Sequence, residues 1–262
     1  MVSESSMKTK EMKAALAVAV RAARAAGKLM RQNLCKAKVV NATTAYDIKL
    51  ELDVRCQKLI EKILRAAFPK IALLGEEGDS GDVNATQRWV VDPIDGTVNY
   101  AHGIPHAAVS IALEIRSDAD TDAFKAVVGV IYDPFQDELW TAIRGEPARC
   151  NGRVIHVSKR MKTSEAIVAI GFAKSKDNLR KSLPYFGRLA RRVRKVRILG
   201  SAALSLTYVA MGRFDGFYEY GLHNWDIAAG SLLIREAGGR VELTPLGEYE
   251  WDVRVDNGRI WS

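Results

Sequence analysis

Cysteine and proline are scarce in this chain of 262 residues, which has three and seven of them, and its apolar runs are short. Cys35, Cys56 and Cys150 are widely spaced and form no Cys-x-x-Cys pair, which argues against a disulfide scaffold or a zinc site. The alanine-rich run after Lys13 is interrupted at Arg21, too early for the roughly twenty apolar residues of a membrane span. We therefore expect a cytoplasmic protein with reduced thiols and no membrane partner.

Positive charge is in excess, with 39 lysines and arginines against 31 aspartates and glutamates, a formal net charge of +8. Such a balance suits three partners, namely nucleic acid, an anionic membrane or a small anionic substrate. The excess is local, because residues 158–201 contain thirteen basic and two acidic residues while the remainder has a net charge of −3. With 48% hydrophobic residues, the chain otherwise has the composition of an ordinary globular protein.

Hydrophobic periodicity predicts two long helices in the first part of the chain, at residues 10–32 and 52–68. Five strands are predicted after them, at residues 71–74, 89–91, 107–115, 126–132 and 138–143. A polar turn is expected at residues 118–122, and Asn151-Gly152 is a strong hairpin signal. This part of the chain therefore reads as two helices laid on a mostly antiparallel sheet.

Strands and helices alternate after residue 153. Predicted strands at 166–172, 196–199 and 214–219 alternate with predicted helices at 178–194, 201–211 and 225–237. Helical spacing would put Arg188, Arg191, Arg192 and Lys195 on one face. The predicted fold class is α/β (α+β), a layered αβαβα sandwich of two closely packed halves, with an antiparallel-rich N-terminal sheet and a mixed C-terminal sheet. We place these halves at residues 1–152 and 153–262.

The turn Asp92-Pro93-Ile94-Asp95-Gly96-Thr97 is the most informative segment, because it directly follows an apolar strand, where ligand sites commonly form. Two aspartates this close repel each other unless a cation lies between them, and oxygen ligands suit Mg²⁺ or Mn²⁺. Gly96 allows a ligand to approach the backbone, and free N–H groups at a helix start bind phosphate. The alternative is an Asp-rich turn that only caps a helix.

Two further segments place carboxylates at element ends. Gly75-Glu76-Glu77-Gly78 follows another apolar strand, and His223-Asn224-Trp225-Asp226 opens an apolar helix. Each has a plain structural interpretation, a solvated glutamate pair in the first case and a first-turn aspartate in the second. The four histidines have no ligand spacing, and His223 is of interest only because Asp226 is near.

Together these segments resemble the inositol monophosphatase family of Mg²⁺-dependent, lithium-sensitive phosphatases. The resemblance covers almost the whole chain, and its most specific motifs are the aspartate turn at 92–97 and the Trp225-Asp226 element, in this order and spacing. Other matching segments are residues 68–69, 75–77, 89–91 and Asn99, 110–113, 129–132, 151–152, 199–203, 219–221, 227–230 and 236–239.

The resemblance implies a metal site. Glu76, Asp92 and the backbone carbonyl of Ile94 would hold one ion, Asp92, Asp95 and Asp226 a second, and Glu76 would help to hold a third through water. The implied cofactor is Mg²⁺, as two or three ions, with Mn²⁺ as a substitute and Li⁺ as an inhibitor. A homodimer is also implied.

The implied reaction is hydrolysis of a phosphate monoester by in-line attack of a metal-activated water. The implied catalytic residues are Asp53, Glu76 and Thr97, with Thr97, oriented by Asp53, positioning the water. The implied substrate contacts are Asp95, Gly96, Thr97, Gly200, Ser201, Ala202 and Glu219.

One segment departs from the family pattern Asp-x-x-Thr-x-x-Asp, since this chain has Leu50 where threonine is usual between Asp47 and Asp53. The added Lys49 has two interpretations, a neighbour of the third metal or phosphate and a solvated loop lysine. Asp53 keeps its place, so the chemistry is less affected than metal stoichiometry and lithium sensitivity.

Several functions share this metal site. Relatives act on inositol phosphates, fructose 1,6-bisphosphate, 3′-phosphoadenosine 5′-phosphate or histidinol phosphate, and the compact length and Glu219 favour a small polyol phosphate, first of all inositol monophosphate. The alternative outside enzymes is an RNA- or transcription-complex-binding protein that uses the basic 158–201 segment, alone or as a second role.

Overall fold

The computed structural model describes residues 7–36, 38, 40–43, 48–116, 124–172 and 176–261. The predicted turn at 118–122, Asp47 of the departing segment and Lys174 of the basic segment lie outside these residues, as does the side chain of Lys49.

Two helices begin the chain, α1 (Thr9–Asn33) and α2 (Glu51–Ala67), with the short strands β1 (Val40–Thr43) and β2 (Ile48–Leu50) between them. The buried face of α1 consists mainly of alanines, which lets α2 and the sheet approach closely. On α2 the buried apolar positions recur at helical spacing, at Leu52, Cys56, Ile60 and Leu64. Both helices match their predicted positions to within a residue or two.

A seven-stranded sheet follows, with its strands in chain order. They are β3 (Ala72–Gly75), β4 (Gln87–Asp95), β5 (Ala108–Arg116), β6 (Phe124–Asp133), β7 (Glu138–Ile143), β8 (Arg149–Cys150) and β9 (Arg153–Val154), and the short helix α3 (Thr97–Ala101) follows β4. β3 and β4 are parallel, and every other pair is antiparallel. Asn151 and Gly152 have φ of 47° and 78° in the β8–β9 turn, which confirms the hairpin signal.

The second sheet has five strands, in the order β11-β10-β12-β14-β13. After a 3₁₀ turn (Thr163–Glu165), the elements are β10 (Ile167–Ile170), α4 (Lys176–Ala190), β11 (Lys195–Arg197), α5 (Ala202–Ala210), β12 (Gly216–His223), α6 (Asn224–Glu236), β13 (Arg240–Gly247) and β14 (Glu250–Asp256). β10 is parallel to both of its neighbours, and the other pairs are antiparallel, so this sheet is mixed as predicted.

The layers form an αβαβα sandwich, which confirms the predicted fold class. One core joins α1 and α2 to the outer face of the first sheet, and a second encloses α5 and α6 between the two sheets. A smaller core, which includes Val168, Leu189 and Ile260, covers the outer face of the second sheet beside α4. α5 and α6 are buried almost throughout, and α6 follows β12 with no residue between them.

The predicted basic helical face is wrong. α4 ends at Ala190, Arg191 and Arg192 lie in the following turn, and Lys195 begins strand β11. The physical reason is in the intervening valines, which are β-branched: Val193 is buried against the third core, and Val196 pairs with Val168 on β10. Arg188 is thus the one member of the predicted face that lies on α4, and the other three lie on a turn and an edge strand.

Three other expectations concern the chain as a whole. The described cysteines are free, with Cys35 exposed and Cys56 and Cys150 buried. None of the helices in the described part of the chain is long and apolar enough to cross a membrane. The division into halves at 1–152 and 153–262 stays a prediction, and β9 pairs with β8 across that boundary.

Candidate active site

Parallel pairing of β3 and β4 brings two of the predicted carboxylates together. Gly75 is in register with Val91, so Glu76 and Asp92 follow at the same edge of the sheet, and the Glu76 amide donates to the Val91 carbonyl at 3.2 Å. The two carboxyl groups lie close enough to interact with each other. Asp92 also accepts from the Ile94 amide at 2.9 Å, which closes the turn after β4.

Asp226 reaches this cluster from the other half of the molecule. It lies in the first turn of α6, where its carboxylate accepts from the His223 amide at 2.7 Å. Oxygen atoms of Asp92, Asp95 and Asp226 lie within 4.8 Å of one another. The His223 ring stacks on Trp225 with centroids 4.8 Å apart, and its Nδ1 lies 3.9 Å from Asp226.

The environment of these carboxyl groups raises their pKa values and so disfavours their ionised forms. Burial, reinforced by the charge of Asp226, raises the pKa of Glu76 to about 8. Burial and the charges of Glu76, Asp95 and Asp226 raise the pKa of Asp92 well above its ordinary value. A divalent cation among them would remove this repulsion, and carboxylate and carbonyl oxygens are what Mg²⁺ and Mn²⁺ prefer. The residues present therefore fit a hard cation.

Asp95 connects the carboxylate cluster to α5. It accepts from the Ser201 hydroxyl, from the Ala202 amide at 3.2 Å and from the Ala203 amide at 2.9 Å, at the positive end of the helix dipole. These bonds favour the ionised form, but burial outweighs them and raises the pKa of Asp95 to about 6. Ser201 in turn caps α5 by accepting from Leu204.

The turn after Asp95 is compact. Gly96 has φ +93°, a backbone conformation that favours glycine. A Cβ there would also lie 3.0 Å from the His106 carbonyl and 3.1 Å from that of Gly200, so space favours glycine as well. The Thr97 hydroxyl donates to the Ile94 carbonyl at 2.8 Å. Because its proton is engaged there, the Thr97 oxygen presents its lone pairs to other donors.

Asn99 fixes two loops around this turn. Its amide nitrogen donates to the carbonyls of His106 and Leu199, at 2.9 and 2.8 Å. The first bond closes the loop after α3, and the second holds the 199–201 turn from the other half of the molecule. The sequence includes Asn99 in the family motif, but no role for it followed from the residues alone.

Glu219 forms the opposite wall. β10 and β12 are parallel, with Ile170 in register with Tyr218, so Gly171 faces Glu219. A Cβ on Gly171 would lie only 1.7 Å from Glu219 Oε2, so the carboxylate occupies the space that any other residue would fill. The position of Glu219 therefore depends on Gly171, which sequence reasoning did not single out.

A cavity of about 940 Å³ brings these groups together. All predicted site residues except Asp53 line it, namely Glu76, Asp92, Ile94, Asp95, Gly96, Thr97, Gly200, Ser201, Ala202, Glu219 and Asp226. Asp53 is buried in the first turn of α2, where it accepts from the Leu50 amide at 2.7 Å. Leu50 is itself buried, so the unusual residue is accommodated by packing, while the pairing of Asp53 with Thr97 stays a prediction.

Comparison with known proteins gives a consistent result. Residues 11–259 match the sequence profile of the inositol monophosphatase family. Nus factor SuhB of Pseudomonas aeruginosa is 40% identical over 238 residues, which cover 88% of this chain and 85% of that protein. Inositol monophosphatase 2 of Solanum lycopersicum is 40% identical over 244 residues, 90% of this chain and 89% of that one.

The fold agrees with the sequence match. The crystal structure of the extragenic suppressor protein suhB from Bartonella henselae superposes with a TM-score of 0.84 at 36% identity, covering 93% of this chain and 94% of that one. A match over nearly the whole chain, on the fold that gathers the carboxylates, makes this protein a member of the inositol monophosphatase family.

Proposed function

We propose that the protein is a Mg²⁺-dependent phosphatase that acts on a small polyol monophosphate, first of all inositol 1-phosphate. The observation that carries the proposal is the cluster of Asp92, Asp95 and Asp226, whose oxygens lie within 4.8 Å of one another beside Glu76. A cluster of repelling, buried carboxyls at the base of an open cavity has a chemical reason if cations and a phosphate bind there.

In this proposal Glu76, Asp92, Asp95, Asp226 and the carbonyl of Ile94 hold the metal ions. Bound there, the ions would supply positive charge to the phosphoryl oxygens and lower the pKa of a water molecule. Mn²⁺ would substitute for Mg²⁺, and Li⁺ would inhibit.

The remaining residues bind and orient the substrate. Thr97, with its proton on Ile94, accepts a hydrogen bond from the attacking water, and Asp53 supports it from α2. The amides of Gly96 and Thr97 bind phosphate oxygens. The carboxylate of Glu219, the turn Gly200-Ser201-Ala202 and Asp95 line the space for the alcohol part of the substrate.

Phosphate release from a panel of monoesters tests the substrate. The panel contains inositol 1-phosphate, fructose 1,6-bisphosphate, histidinol phosphate and 3′-phosphoadenosine 5′-phosphate, each with Mg²⁺, with and without Li⁺. We expect the highest kcat/KM for inositol 1-phosphate and inhibition by Li⁺. A higher kcat/KM for one of the other three compounds would make that compound the proposed substrate instead. Turnover that does not need Mg²⁺ would contradict the mechanism.

We place this activity in the cytoplasm, and we propose that the active protein is a homodimer. A measurement of its molecular mass in solution tests the homodimer directly. A monomer at working concentration would overturn the second assignment without affecting the first.

A second role has support from a different part of the molecule. Five cations on the turn after α4 and on strand β11 are exposed, at Arg191, Arg192, Arg194, Lys195 and Arg197. Such a group suits the phosphates of RNA, and relatives at 40% identity carry the name Nus factor. We therefore propose RNA or a transcription complex as a secondary partner.

Fluorescence anisotropy with labelled RNA at physiological salt tests this role. Replacement of Arg191, Arg192 and Arg194 by alanine should weaken binding. The same charge change at Lys8, which precedes α1, and at Lys10 and Lys13 in its first turns should not. Equal losses for the two triple variants would reduce the role to unspecific attraction, and no binding by the wild-type protein would eliminate it.

A further inference from the structure

Helix α2 carries a polar stripe that begins on its buried side and ends at the surface. Asp53, Gln57, Glu61 and Arg65 recur every four residues, which places them on one face of the helix. The first of them lies at the start of α2, and the others face the turn and loop that connect β3 to β4. This loop begins with Glu76, so the stripe runs beside the candidate metal site.

Gln57 is the most buried of the three residues that contact the loop, with 5% of its surface exposed. Its amide nitrogen donates to the Gly78 carbonyl at 2.7 Å, and its amide oxygen accepts from the Glu77 backbone at 3.0 Å. Both bonds join residues some twenty positions apart in the sequence. The side chain therefore connects α2 to the backbone on the C-terminal side of Glu76.

Gly75, the residue before Glu76, packs closely against the side chain of Gln57. A Cβ on Gly75 would lie 2.5 Å from Oε1 and 2.6 Å from Nε2 of Gln57, so the amide occupies the space that glycine leaves open. Gly75 also accepts from the Gly78 amide at 3.1 Å, which closes a four-residue turn with Glu76 and Glu77 at its centre. Gln57 thus contacts or bonds to three of the four residues of this turn.

The rest of the stripe holds the far end of the loop. The Ser80 hydroxyl donates to Glu61 at 2.6 Å and accepts from Arg65 at 2.8 Å. Ser80 also exchanges two backbone hydrogen bonds with Leu73 of β3, both at 2.8 Å. At the near end, the Glu76 amide bonds to the Val91 carbonyl and the Gly75 amide donates to the Asp79 carboxylate at 3.1 Å. Gln57 adds the side-chain bonds from α2 that hold the Glu77 and Gly78 side of this turn.

We propose that Gln57 is a positioning residue for the metal site, which holds the Gly75–Gly78 turn so that the Glu76 carboxylate meets Asp92. This inference rests on the proposed function, because it takes Glu76 as a metal ligand. Residues that support ligands in this way typically change metal affinity by 10- to 100-fold when they are replaced.

Binding of Mn²⁺ alone to the purified full-length chain tests the proposal, with free Mn²⁺ followed by electron paramagnetic resonance. Gln57→Ala should raise the dissociation constant at least about tenfold. Cys56→Ala is the matched control, since Cys56 is the adjacent buried residue of α2 and packs in the core with α1. It should lower the unfolding temperature and leave the dissociation constant within about twofold, a pattern that separates positioning from general destabilisation.

A second pair of variants addresses the contact itself, and keeps the test decisive if Gln57→Ala folds poorly. Gly75→Ala should weaken Mn²⁺ binding in the wild-type background, because the new methyl group displaces the amide. In the Gln57→Ala background that methyl group has room, so the double variant should bind no more weakly than Gln57→Ala. If the double variant lost Mn²⁺ affinity by the product of the two single-variant losses, the contact between Gly75 and Gln57 would be refuted as the cause.

The outcomes are distinguishable. Wild-type protein that binds no Mn²⁺ refutes the metal site and the proposed function together. Wild-type binding that Gln57→Ala leaves unchanged, or that Cys56→Ala weakens equally, refutes the positioning role alone.

Discussion

Gly171→Ala should separate substrate selectivity from catalysis in this protein. Glu219 Oε2 lies 1.7 Å from the position of the new Cβ, and contacts below 3.0 Å essentially never occur for real Cβ atoms. The carboxylate must therefore retreat by 1.3 Å or more, because 3.0 Å is the minimum and 1.7 Å is the present separation. The φ of Gly171 lies outside the left-handed region, so alanine does not strain the backbone there.

A displacement of about 1 Å at a positioned group costs about 100-fold in rate. That factor corresponds to about 2.7 kcal/mol of lost transition-state stabilisation. We expect a loss of this size in kcat/KM for inositol 1-phosphate, whose hydroxyl groups Glu219 is proposed to bind. For p-nitrophenyl phosphate, which has no such hydroxyls, kcat/KM should change less than threefold, about 0.7 kcal/mol.

The assay is Mg²⁺-dependent turnover of both substrates by the wild-type protein, Gly171→Ala and a control. Gly187→Ala is the matched control, because a Cβ there meets no atom closer than Arg191 Nη1 at 4.0 Å. An equal loss for both substrates would show that the effect is on the metal site or on folding. No loss for inositol 1-phosphate would refute the role of Glu219 in binding the alcohol.

Two further predictions concern stability. Without divalent cations, the unfolding temperature should fall as pH rises from 4.5 to about 8. Folding raises the pKa of Glu76 across that range, so the folded chain retains a proton that the unfolded chain has lost. Saturating Mg²⁺ should remove this slope, and the same slope with and without Mg²⁺ would contradict the cluster. Arg88→Met should lower the free energy of unfolding in urea by about 3–5 kcal/mol, since it leaves the buried Glu114 carboxylate without its cation at 2.8 Å. The double variant Arg88→Met/Glu114→Leu should recover most of that loss, and no recovery would refute an unpaired charge as its cause.

Much of the fold followed from local patterns. The four-residue spacing of Cys56, Ile60 and Leu64 predicted α2, and Pro69 follows its end. β13 and β14 were not predicted, although apolar and polar residues alternate in both; β13 is half exposed and contains Pro245, which argues against a strand. The excessive length of predicted helix 178–194 came from reading Val193 as helical, although its burial against the third core depends on a turn after Ala190.

The site residues likewise fall into those that the sequence indicates and those that only the structure shows. Asp92, Asp95 and Asp226 were recognisable because their motifs are contiguous in the sequence. Gly171 was not, because its only function is to leave space for Glu219, which is a property of two parallel strands in register. Gln57 did have a signal, its position four residues after Asp53, but the turn it holds is remote in sequence.

The central claim is that the buried carboxylates form a Mg²⁺-dependent phosphatase site, and phosphate release from inositol 1-phosphate tests it most directly. We expect release by the wild-type protein only with Mg²⁺, loss of release in Asp95→Asn, and wild-type rates in Asp137→Asn, an exposed aspartate on the β6–β7 turn. No release of phosphate from any monoester by the wild-type protein, or full activity of Asp95→Asn, would contradict the account.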